Sequence, residues 1–142
     1  MRRPISATRG VSLAPGTMNG FLEPLPSACP PTSAFEPTGL TVYRLAVSSP
    51  PSLTDFASHV ALGIALPTTV DECRARSCSV FDSLEKLEGL RRLPRLRAHR
   101  VALQVLLDES AGVVLPSGSG HIDWWLYRGF DPCERSQVVR EY

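Results

Sequence analysis

Four groups of residues carry side chains able to do chemistry, and each asks for a different kind of partner. Arg44 lies in the apolar run Leu40-Thr-Val-Tyr-Arg-Leu-Ala-Val47. Strict alternation gives it the face of Leu40, Val42 and Ala46. A guanidinium in such surroundings keeps its charge, so it requires a carboxylate, a phosphate or carbonyl oxygens. Ser77 and Ser79 flank Cys78, and as alternate residues of a strand they present two hydroxyls on one side. Asp123, Trp125 and Tyr127 share one face of the run His121-Ile-Asp-Trp-Trp-Leu-Tyr127, an aromatic wall holding a carboxylate and suited to stacking a planar ring. Arg91, Arg92, Arg95, Arg97 and Arg100, with His99, form a stretch of ten residues free of acids. Such a patch can neutralise phosphates, but it also complements the C-terminal end of a helix headed by Asp82, Glu85 and Glu88.

The elements that must hold these groups follow from periodicity and punctuation. Leu40 to Val47 reads as a first strand, ended by Pro50-Pro51. Ser52 and Asp55 have capping-box spacing for a short helix through Phe56 and His59 to Leu62, with Gly63 as its stop. Ser77 to Phe81 suits a second strand. Asp82 and Glu85 form another cap-like pair, opening a helix with Leu84, Leu87 and Leu90 on one stripe, and Pro94 closes it. Val101, Leu103, Val105 and Leu107 alternate in the clearest strand of the chain. Val113 to Leu115 and Ile122 to Tyr127 complete a set of about five strands with two short helices. The expected fold class is α+β with a small, largely antiparallel sheet.

An arginine on the first strand followed by a Ser-x-Ser strand and a helix resembles the opening of the arginine–serine–glutamate class of ADP-ribosyltransferases. The resemblance covers Leu40 to Leu90. It implies an NAD-using transferase in which Arg44 binds the dinucleotide and Ser77 and Ser79 match the family's Ser-Thr-Ser motif. In that family a glutamate on a late strand carries the transfer. Here the late strand offers Asp123 as the candidate catalytic group, and Glu134 lies beyond Pro132.

Composition bounds the rest. The chain has 142 residues with 15 Lys+Arg against 14 Asp+Glu, so no global charge pulls it towards nucleic acid or anionic lipid. Seven of the 13 prolines fall in the first 37 residues, where only five charged groups occur. Residues 1–37 therefore read as a disordered Pro-rich tail, 38–133 as the single domain and 134–142 as a short C-terminal tail. Fourteen of the 15 basic residues are Arg, which fits a GC-rich bacterial genome. Met18 is then an alternative start, with residues 1–17 an over-extension. Four irregularly spaced cysteines predict neither a disulfide framework nor a zinc site. No stretch approaches the length of a membrane-spanning helix, so no membrane partner is expected, and the expected location is the cytoplasm. The leading functional reading is a non-catalytic module without a cofactor. It binds a protein or another ligand through the Trp125/Tyr127 face and the 91–100 arginines. The NAD-dependent transferase is the first alternative, and nucleic-acid binding by the arginine run is the less favoured second.

Overall fold

The computed structural model describes residues 20–142. The proposed start at Met18, and residues 1–17 with it, lie outside the described residues. The six strands are β1 (Leu40–Ala46), β2 (Cys78–Phe81), β3 (Val101–Leu107), β4 (Gly112–Pro116), β5 (His121–Leu126) and β6 (Ser136–Glu141). They form one sheet in the order β4-β5-β2-β1-β3-β6, with every neighbouring pair antiparallel. Two short helices, α1 (Glu72–Ala75) and α2 (Leu84–Gly89), complete the regular elements together with three 3-10 turns.

The alternating residues of the strands pack both faces of the sheet. Val42, Ala46, Val80, Val105, Ile122 and Trp124 point to one side, where Phe56 and Phe130 close over them. The indole of Trp124 meets both rings edge-on and donates its N–H to the Ala111 carbonyl. On the other side Leu45 and Ala102 pack under Leu87 of α2, flanked by Leu84 and Leu90. That helix starts one residue later than the Asp82 cap expected from spacing. Ser83 is its N-cap, and its hydroxyl accepts from the Lys86 N–H. The helix expected over residues 52–62 shrinks to one 3-10 turn, Leu53–Phe56, because the chain leaves it extended at Ala57. The Asp55 carboxylate fixes this turn by accepting from the backbone N–H groups of Ser52 and Val47.

Three expectations are overturned here. Residues 20–37 do not behave as a tail: they wrap the β4–β5 end of the sheet as an extended strap. Phe35 and Val114 exchange backbone hydrogen bonds at 3.0 and 2.8 Å, and Phe21 bridges Tyr127. Ala34 and Pro37 of the strap are themselves buried. Repeated proline had suggested disorder, but a ring that fixes φ also lowers the entropy lost when an extended segment docks. A Cys29–Cys73 disulfide, Cα–Cα 5.5 Å, ties the strap to α1, where irregular cysteine spacing had predicted none. Residues 136–141 are likewise no tail but the sixth strand, pairing with β3 at the sheet edge.

Candidate functional site

β2 and β5 pair in a register that sets Ser79 opposite Asp123 and Phe81 opposite His121. Residues directly opposite share a face, so Ser79, His121 and Asp123 converge although more than 40 positions separate Ser79 from the other two. The Ser79 hydroxyl lies 3.0 Å from His121 Nε2. Asp123 Oδ1 lies 3.7 Å from the same nitrogen and shares the Ser77 hydroxyl proton, at 3.1 Å, with the Arg74 carbonyl oxygen at 2.7 Å. Asp123 Oδ2 accepts from Arg74 Nε at 3.0 Å. The carboxylate is almost wholly buried, whereas the Arg74 side chain is 52% exposed. A buried carboxylate with a charged and a neutral donor is satisfied and held in one orientation.

Above these residues the chain from His59 to Ala75 arches over a cleft of about 450 Å3. Arg74, Ser79, His121 and Asp123 lie on its polar side, and Leu66, Val70 and His59 on the arch. The arch is braced at its root: the Glu23 carboxylate of the strap accepts from both the N–H and the hydroxyl of Ser58, at 3.0 and 2.6 Å. Its far end, α1, is capped by Asp71, whose side chain accepts from the Cys73 N–H. The disulfide and the Trp125 indole N–H, donated to the Cys73 carbonyl at 2.9 Å, anchor α1 to the sheet. Arg74 is thus placed by its neighbour Cys73.

His59 is held below its ordinary value, first by burial and then by the charges of Arg44 and Arg95. The Cys78 thiol on β2 faces the opposite side of the sheet, where burial pushes its pKa up and keeps it protonated. Among the described residues no three His, Cys, Asp or Glu side chains converge as metal ligands would.

The sequence-derived residues are distributed unequally around this cleft. Ser79 and Asp123 line it, and Ser77 sits just behind as a buried partner of Asp123. Arg44 is not a ligand arm. Its Nε and one amino group donate to the carbonyls of Asp55 and Ser79, each at 2.7 Å, and the other amino group reaches Ala57 O at 3.5 Å. β1 and β2 meet at a single register pair, Tyr43–Phe81, and the guanidinium takes the Ser79 carbonyl that a longer ladder would use. Trp125 is not on an open aromatic wall. It is 1% exposed and lies under the strap beside Ala34, Cys73 and Val113. Tyr127 stacks at a tilt on Phe21 and donates its hydroxyl to Glu36. The strap covers the face that alternation had left open, so that surface is unavailable as a docking site.

Of the arginines, Arg91 stacks 3.8 Å over the Tyr142 ring and donates to the His99 carbonyl. Arg92, Arg95, Arg97 and Arg100 remain exposed. His59, Arg74 and His121 were not singled out for chemistry in the sequence, and only the 79–123 register together with the disulfide-held helix brings them to one place. No helix among the described residues is long and apolar enough to cross a membrane. No protein-family model matches the chain, and neither the curated proteins nor the solved structures contain a significant match.

Proposed function

We propose that this chain is a ligand-binding module that takes a small anionic organic molecule, a carboxylate or a phosphate monoester, in the cleft between the β2–β5 face and the 59–75 arch. The observation that carries this reading is Arg74. It spends Nε on Asp123 yet stays half exposed on the wall of a cleft of about 450 Å3, and its terminal amino groups have no protein acceptor among the described residues. A guanidinium already oriented by a buried carboxylate presents its remaining donors without further loss of rotamer freedom. The charge of the exposed Arg95 is felt at His59 on the cleft and adds attraction for an anion there. The disulfide supports oxidising surroundings for the protein rather than the cytoplasmic location expected from the sequence.

Calorimetric titration of the purified protein with small mono- and dicarboxylates and phosphate monoesters tests the reading. Saturable binding is expected, weakened about tenfold by Arg74→Lys, which keeps the charge beside Asp123 but loses the planar fork. Absence of saturable heat with every compound at millimolar concentration refutes it.

A further inference from the structure

The bonded pair on the cleft floor has a use that binding alone leaves unexplained. Ser79 Oγ and His121 Nε2 are 3.0 Å apart, within reach for proton transfer from a nucleophile to a base. Both side chains line the cleft. His121 is fixed from its other side by the Phe81 ring, edge-on at 5.4 Å. Asp123 Oδ1 stands 3.7 Å from the same Nε2. Its charge gains little from a ring nitrogen that only accepts the serine proton, and attracts that nitrogen once it bears the proton. Such an interaction strengthens as the reaction proceeds, which is the requirement for lowering a barrier rather than tightening ground-state binding. The arrangement differs from a serine–histidine–aspartate relay, because serine and carboxylate address one imidazole nitrogen and not opposite ones.

We propose that Ser79 and His121 form a nucleophile–base dyad that hydrolyses small esters in this cleft. The Ser79 oxygen bonds to the ester carbonyl carbon while its proton passes to His121 Nε2, and the carbonyl electron pair moves to oxygen. Collapse restores the carbonyl and breaks the bond to the alkoxy group, which leaves as the alcohol with the proton from Nε2. Water then yields one proton to Nε2 as its oxygen bonds to the acyl carbon. The second collapse releases the acid and returns the proton to Ser79. Ester and water are consumed, acid and alcohol are formed, and no cofactor enters the balance. Arg74 on the same wall selects esters with an anionic group, so the substrate class rests on the ligand-binding reading above, whereas the dyad itself does not.

Two neutral probes keep those readings apart. Phenylmethylsulfonyl fluoride should modify Ser79 in near-stoichiometric yield, located by peptide mass spectrometry, and 4-nitrophenyl acetate should release nitrophenol catalytically. Ser79→Ala should abolish both, and His121→Gln should lower turnover by roughly 10²–10⁴-fold. Ser79→Cys gives a measurement that does not depend on the alanine variant folding: its new thiol should outpace Cys133 in reaction with iodoacetamide, because His121 takes its proton. Modification at the exposed Ser117 or Ser119 instead, or no turnover above the Ser79→Ala background, overturns the dyad. Labelling of Ser79 without anion binding removes only the anionic-ligand reading. Anion binding with neither labelling nor hydrolysis removes only the dyad.

Discussion

Replacing Arg44 by methionine separates a structural arginine from a ligand arginine. The side chain keeps its length and apolar stem but loses every donor. Two charged hydrogen bonds of 2.7 Å, to the carbonyls of Asp55 and Ser79, disappear, while the 3.5 Å contact to Ala57 counts for little. A hydrogen bond from a charged group contributes roughly 1.5–3 kcal/mol, so the loss of two comes to about 3–6 kcal/mol. Small domains hold about 5–15 kcal/mol in all, so this is a large fraction of the total. For a domain of this size it lowers the melting temperature by about 12–23 °C. The carbonyls come from the Leu53–Phe56 turn and from β2, so β1 and β2 should also splay where their ladder has only one pair. Urea unfolding followed by fluorescence of the buried Trp124 and Trp125 gives the free energy directly. A surface arginine reserved for a ligand would change stability by less than about 0.5 kcal/mol on removal. A loss below about 1 kcal/mol for Arg44→Met would refute the clamp.

Other outcomes follow from separate parts of the molecule. Reducing the Cys29–Cys73 bond, whose partners are 44 positions apart, should cost about 4 kcal/mol by loop entropy and lower the urea midpoint; an unchanged midpoint under reductant would show that the strap is held by packing alone. Gly112→Ala should prevent folding or cost several kcal/mol, because a Cβ there would collide with the Trp125 carbonyl oxygen at φ +131°, and near-native thermal stability would contradict that close approach. His59 is held below its ordinary value of 6.5 in the folded state, so the unfolded chain binds its proton more readily. Its contribution to stability should therefore fall as pH drops through about 6.5 and below, and His59→Gln should flatten that part of the profile in pH-dependent unfolding.

Much of the framework was legible because β-strands with one buried face declare themselves by alternation. Alternation is cleanest at the end of β3, where Leu103, Val105 and Leu107 are buried and Gln104 and Leu106 are not, whereas β5 is buried continuously from Ile122 to Leu126 because both of its faces are covered. β6 escaped notice because Ser136–Glu141 is a half-exposed edge with charges at its end, where alternation is weak. The strap escaped notice for a different reason. Phe21, Leu22, Leu25 and Phe35 bury apolar surface without any period, since isolated bridges and a disulfide hold the segment rather than a ladder or a helix. Within the site, Ser79 and Asp123 stood out separately. Their meeting with His121 depends on β2 pairing with β5 rather than with β3, its next strand in the chain, and residue spacing carries no trace of that choice. Arg44 shows the converse limit: its demand for an oxygen partner was plain, but sequence could not distinguish a phosphate from three backbone carbonyls.

The two borders of the sheet are not alike. Along β4 the strap occupies the outward backbone groups of Val114, and Pro116 removes a further donor at the strand end. Along β6 the outward backbone of Ser136–Glu141 has no strand beside it among the described residues. A sheet with two open borders can add copies without limit, each addition leaving a fresh border for the next. With one border sealed, strand-to-strand association ends after a single event, β6 against β6 in a closed pair. The covalent tie at Cys29 thus also keeps the strap on the β4 border, while the β6 edge carries Arg140 and Glu141.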